Sequence, residues 1–212
     1  MKNIIVIKLS AIGDVIHALP VSYAIKEQFP EAHLTWVVEQ AAYAILVDNP
    51  YIDEIILFEK AKFRSFGGFL REIGPFRRRL RTRRYDASLD LQGLFKSAAI
   101  AFNAGAKLRI GTANMREGAH LVSRPVRGTH AEGHIVERYL DVARALGCAV
   151  REVRFPVAIS ERDAVAADTL LAREGVPEER PFVAFAIGAN WPNKRWPAEH
   201  FAALADRLYH AH

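Results

Sequence analysis

The 212-residue sequence predicts an α/β fold built on a doubly wound parallel sheet. Three observations carry that prediction. Short runs rich in β-branched and aromatic residues alternate with longer helical stretches, the pattern of βα units. Those runs are short and β-branched or aromatic, as parallel buried strands should be. Half of the residues are apolar, enough for one good core or for one domain and part of another.

Taken in order, the predicted strands are residues 3–8, 33–38, 54–58, 87–91, 108–111 and 182–187. The predicted helices are 14–28, 40–47, 77–84, 94–103, 131–146, 161–173 and 197–210. Each opens or closes on a turn residue or a charged group, and right-handed crossovers join the strands. Residues 150–160 read as an extended stretch holding Pro156. The chain therefore divides into a first α/β domain (1–155), a linker with a crossover helix (156–180) and the start of a second α/β domain (181–212). One βα pair cannot cover both faces of a sheet, so the second domain is expected to be partial here, the sequence being truncated or its missing half supplied elsewhere.

No run of about 18 uncharged apolar residues exists to form a spanning helix. The first residues lead straight into a strand, with no secretory pattern. The lone Cys148 excludes an internal disulfide and suits a reducing cytoplasm. Net charge is +5, unevenly spread. Residues 60–84 hold ten cations and one acid, Glu72, so that segment carries +9. A patch of that kind implies an anionic partner: a phosphate, a carboxylate, a lipid headgroup or a nucleic acid. Phe63, Phe66, Phe69, Leu70, Ile73, Phe76 and Leu80 interleave with its cations at near-helical spacing. This suits an amphipathic element on an anionic membrane face. Gly67-Gly68 and Gly74-Pro75 are expected to break it, leaving part as a loop and 77–84 as helix. The same residues also fit a solvated helix whose apolar face joins the core. No helix-turn-helix, zinc or RNA-sheet signature accompanies the patch, and a nucleic-acid partner is not expected.

Three strand–turn–helix segments carry candidate chemistry. Lys8-Leu9-Ser10-Ala11-Ile12-Gly13-Asp14 follows the first strand. Ligands of open α/β sheets bind at the carboxyl ends of strands. Asp14 there is either a helix cap or a general base, and a helix N-terminus attracts its negative charge. The turn lacks the three-glycine dinucleotide pattern. Residues 85–97 repeat the arrangement: Gln92 and Gly93 end a strand, and Lys96 sits where it can reach an anion. Residues 188–197 (GANWPNKRWP) follow the last strand. Lys194 and the helix start there would form an anion site, or the two tryptophans and two cations simply pack together. His130 and His134 could share a helix face, but no ligand context supports a metal.

These segments resemble a known family. Residues 10–20 (SAIGDVIHALP), 90–98 (DLQGLFKSA) and 194–197 (KRWP) are similar to glycosyltransferase family 9, its lipopolysaccharide heptosyltransferases in particular. Residues 116–119 (REGA) and 134–138 (HIVER) add to the likeness, which runs along the whole sequence. The resemblance implies a GT-B fold: a complete Rossmann-like N-terminal domain and the first βα unit of a second. It implies transfer of heptose, with inversion, from ADP-heptose to the Kdo region of Kdo-lipid A in inner-core synthesis. No cofactor and no metal is implied, only ADP-heptose as co-substrate. Asp14 would be the catalytic base. Ser10, Gly13, Gln92, Lys96, Arg116, Arg64, Arg77 and Arg78 would surround the acceptor, and Asn190 and Lys194 would hold the donor phosphates. The protein would work in the cytoplasm, peripherally on the inner face of a Gram-negative-type cytoplasmic membrane. The family's later donor-side motif, Asp-Thr-Gly-x-x-His, does not occur in this sequence, so these 212 residues alone are expected to bind donor poorly. Two alternatives remain at this point: a family 9 transferase with another heptose acceptor or donor, and a non-catalytic half that docks on acceptor or lipid.

Overall fold

The computed structural model describes residues 1–176, 182–189 and 191–211. Two compact units divide at Ser160: Met1–Ser160 and Glu161–His212. The first unit is built on six parallel strands: β1 (Asn3–Ile7), β2 (His33–Val38), β3 (Glu54–Leu57), β4 (Ala87–Asp90), β5 (Leu108–Thr112) and β6 (Arg124–Val126). Their spatial order is β3-β2-β1-β4-β5-β6. Chain order therefore reverses between β1 and β4, which pair in parallel with Ile7 opposite Asp90.

Alternate residues of β1 feed opposite faces of the sheet, the period-two consequence of a pleated strand. Ile4 and Val6 join Leu34, Trp36 and Val38 in one core, which α1 (Ile12–Gln28) and α5 (Ile135–Ala145) cover. Ile5 and Ile7 join Val37, Ile56, Tyr85 and Ile100 in the other, under α3 (Phe66–Leu80) and α4 (Phe95–Ala104). Both faces of the sheet are covered, and the doubly wound expectation holds.

Several elements differ from the sequence expectation. The helix expected at 77–84 is instead α3, which begins eleven residues earlier and runs straight through Gly67, Gly68, Gly74 and Pro75. Intrinsic propensity opposes it by about 1 kcal/mol per glycine and about 3 for an interior proline. Tertiary packing outweighs that. Phe76 meets Phe58 at 5.5 Å and Phe63 at 5.6 Å between ring centroids. The Ser65 hydroxyl caps the helix by accepting the Gly68 N–H at 3.1 Å. Gly68 is there for space, since a Cβ would collide with the Lys62 carbonyl of the preceding 3-10 turn, Lys60–Phe63.

α2 is a single turn, Gln40–Tyr43, where a helix to residue 47 is expected. α5 begins at Ile135, not 131, because His134 occupies its N-cap and accepts the Val136 N–H. His130 and His134 thus precede the helix and do not share a face of it. β6 was not legible: it is three residues long, holds Pro125, and lies at the sheet edge, where a strand tolerates a missing N–H.

The second unit contains α6 (Glu161–Arg173), a 3-10 turn (Pro192–Lys194) and α7 (Ala198–Ala211). The segment expected as a strand at 182–187 forms no ladder. Among the described residues this unit offers no strand to pair with it, and Phe182, Val183 and Ile187 are exposed. A strand needs a neighbour to satisfy its backbone. No described helix is long and apolar enough to cross a membrane.

Candidate active site

The carboxyl ends of β1 and β4 stand side by side at the point where strand order reverses, the place where open α/β sheets bind ligands. Two turns leave from there, and they are tied to each other. The Gln92 side-chain oxygen accepts the Leu9 N–H at 3.1 Å and the Ser10 N–H at 3.3 Å. The β2 end joins them: the Glu39 N–H donates to the Leu9 carbonyl at 3.0 Å. The Glu39 carboxylate pairs with the Lys96 ammonium at 2.6 Å.

Asp14 lies in the third position of α1, which begins at Ile12, so it is not the N-cap residue itself. Its carboxylate accepts the Ala11 N–H at 3.3 Å and remains half exposed. It therefore caps the helix with one oxygen edge and still faces the crevice. Beneath it Lys8, fully enclosed at the end of β1, holds its ammonium 3.8 Å from the Asp14 carboxylate and 5.3 Å above the Tyr139 ring. Burial pulls the Lys8 ammonium below its ordinary value, while Asp14 and Asp90 oppose the shift.

Asp90 ends β4 with no exposure at all. Its carboxylate accepts the Gly93 N–H at 2.8 Å, the Gln92 N–H at 3.1 Å and the Ser97 hydroxyl at 3.0 Å. Burial raises its pKa, and these donors and Lys8 act against that rise. Asp90 is thus a scaffold for the second turn. Gly93, at φ +67°, supplies the left-handed residue that the turn requires. Tyr139 is pushed above the usual phenol range, first by burial and then by the Asp14 charge.

The sequence-predicted site residues distribute unevenly. Ser10, Gly13, Asp14, Gln92 and Lys96 gather at this edge, on the β1 and β4 turns and the helices they open. Gly13 is exposed, and the structure leaves open space where its Cβ would stand. Arg116 joins them from the loop after β5, donating its own N–H to the Gly93 carbonyl at 2.8 Å and leaving its side chain exposed. Arg64 follows the 3-10 turn after β3 and is also exposed.

Arg77 and Arg78 lie in the last turn of α3, and their neighbours bond away from the crevice. Arg79 donates to the Ile55 carbonyl and Arg81 to the Asn103 carbonyl near the far end of α4. Of the ten cations of the basic run only Arg71, Arg77, Arg78 and Arg79 lie on α3, with three before it and three after, so the run is spread over three segments. Lys194 is exposed in a 3-10 turn of the second unit. Asn190 lies outside the described residues. Lys8, Glu39, Asp90 and Tyr139 were not foreseen as site residues. A lysine ending an apolar strand was the available signal for Lys8, and Tyr139 gave none.

A Rossmann-like α/β unit with an exposed carboxylate and exposed cations at its switch point is the class that fold and site define. The chain belongs to glycosyltransferase family 9 (heptosyltransferase), whose family profile matches residues 73–212. It is 27% identical over 214 residues to the lipopolysaccharide core heptosyltransferase OpsX of Haemophilus influenzae, covering 100% of this chain and 58% of that protein. It is 28% identical to lipopolysaccharide heptosyltransferase 1 of Pseudomonas aeruginosa, covering 97% of this chain and 58% of that one. Among solved structures it resembles the E. coli heptosyltransferase WaaC with ADP-2-deoxy-2-fluoro heptose. There the TM-score is 0.73 at 25% identity, over 97% of this chain and 65% of that chain. The chain thus spans 58% of the length of these curated relatives.

Proposed function

We propose that this chain is the acceptor-side part of an inverting heptosyltransferase that moves heptose from ADP-heptose to the Kdo region of Kdo-lipid A. The observation that carries the reading is Asp14: a carboxylate held at the switch point by the Ala11 N–H and the buried Lys8, yet open to the crevice. In the proposed reaction an acceptor hydroxyl attacks the anomeric carbon of heptose. The new C–O bond forms as the bond to ADP breaks, and Asp14 takes the hydroxyl proton. ADP leaves with the electron pair and needs a cation and hydrogen-bond donors, roles we give to Lys194 and to the neutral amide of Asn190 on the donor side. Gln92 holds the Asp14 loop in place, and Ser10, Gly13, Lys96, Arg116 and Arg64 face the anionic acceptor. Arg77 and Arg78, farther along α3, meet phosphates or anionic lipid outside the reacting centre. The reaction would run at the inner face of the cytoplasmic membrane, with α3 near the headgroups.

Kdo-lipid A binding by this chain tests the acceptor part of the reading, and ADP release from ADP-heptose by a protein that joins this chain to a family 9 donor half tests the chemistry. Asp14→Asn should abolish release while acceptor binding survives. Undiminished turnover in that variant removes Asp14 from the chemistry. Absence of acceptor binding by the parent chain removes the whole proposal.

A further inference from the structure

The α3–α4 face holds an apolar groove that the reaction above does not use. Phe58, Phe63, Phe69, Phe76, Phe95 and Ile100 line a cavity of about 240 Å³. Its mouth is apolar as well: Phe95 and Phe69 are exposed beside Phe66 and Leu70. Exposed aromatics at this density are not needed for the core, and they mark a surface that meets something apolar. Lys96 is the cation among its lining residues. Lys60, Lys62 and Arg64 lie on or just after the turn that carries Phe63, with Lys62 paired to Glu59. One wall is Lys96, whose ammonium pairs with Glu39 in the candidate active site. Phe95 and Lys96 open α4 directly after the Gln92–Gly93 turn.

We infer that this groove takes one acyl chain of the lipid-linked acceptor itself. The inference rests on the acceptor reading given above. An apolar slot beginning at the reacting edge beside the Lys96 ammonium fits an amphiphile whose anionic head lies toward that edge and whose tail runs between α3 and α4. Continuity with the site favours the acceptor's own tail over one from bulk lipid.

Soluble n-alkyl phosphates of six to twelve carbons, below their micelle concentration, test this on the 212-residue chain by amide NMR. Shifts should appear in α4 from Phe95 to Ile100. Affinity should rise roughly four-fold per added methylene until the groove is full. Phe69→Ser and Phe95→Ser, both at exposed positions, should each weaken n-decyl phosphate at least about ten-fold. An affinity independent of alkyl length, or unchanged in both variants, overturns the inference. So does dimerisation that covers these residues without probe, which would make a second copy the occupant. Fully deacylated Kdo-bearing disaccharide is titrated separately, with shifts followed in the Ser10–Asp14 loop. If it binds there while alkyl phosphates do not, the groove fails and the acceptor reading stands. If alkyl phosphates bind and the disaccharide does not, the acceptor reading fails and the assignment to the acceptor's tail falls with it.

Discussion

Replacing Gln92 by leucine separates a scaffold from a ligand contact. In the structure one side-chain oxygen accepts two backbone donors of the Asp14 loop, at 3.1 and 3.3 Å. Leucine fills similar space and leaves both N–H groups without that acceptor. A partly buried hydrogen bond contributes about 0.5–1.5 kcal/mol net, so losing two costs about 2 kcal/mol of local stability. Local opening is then favoured roughly thirty-fold more, and amide exchange at Leu9 and Ser10 should accelerate by that factor. Exchange in the β2 core, at Trp36 and Val37, should change far less, because those amides open only with the sheet. Gln92→Glu keeps an acceptor oxygen at the same reach and should hold exchange within a few-fold of the parent. If Leu9 and Ser10 exchange at the parent rate in Gln92→Leu, the loop is not held by Gln92. The residue would then be left only with an acceptor role.

Asp86 provides a pH prediction. Its carboxylate accepts the Lys2 and Asn3 N–H groups at 2.8 and 3.2 Å and pairs with Lys107 at 3.1 Å, which lower its pKa to about 2. A folded pKa below the unfolded one stabilises above about pH 4, and the gain is lost as pH falls toward 2. Asp86→Asn should therefore cost about 1–2 kcal/mol in urea denaturation at pH 7, with the difference shrinking as pH falls from about 4 through about 2. Ser97→Ala removes a hydroxyl donated to the buried Asp90 and should cost about 1–3 kcal/mol by the same assay. An unchanged midpoint would show that the two backbone donors suffice for Asp90. Cys148 is enclosed, and burial pushes its thiol up to about 11. Ellman's reagent at pH 8 should label it only after unfolding, and rapid native labelling would contradict that burial.

The fold was legible wherever a local pattern decided it. Five strands of the sheet were readable because a parallel strand buried on both faces has no polar side to disguise it. What escaped depended on remote partners. Gly67, Gly68 and Pro75 argue against a helix by propensity, yet Phe58 and Phe63, from the segment before α3, supply the packing that keeps them helical. β6 is too short and too proline-bearing to announce itself. The stretch 182–187 has a strand's composition, but composition cannot supply the neighbour that makes a strand.

The site shows the same division. Asp14, Gln92 and Lys96 stood out because each sits just after a strand on a turn, and chain order alone predicts that such turns share an edge. The charges that hold them did not stand out, because most of these interactions cross between strands. Lys8 meets Asp14 within one turn but meets Asp90 across the β1–β4 pair. Glu39 meets Lys96 only because β2 and β4 flank β1 on either side. A buried lysine between two carboxylates costs desolvation that one partner alone would not offset. Lys8 and Asp90 are therefore coupled: removing either leaves the other enclosed and less compensated. The Asp14 loop is thus braced twice, through the Gln92 hydrogen bonds and through this buried charge. Lys8, Asp90 and Gln92 all lie in segments the sequence singled out, but only for Gln92 did the segment itself point to a role.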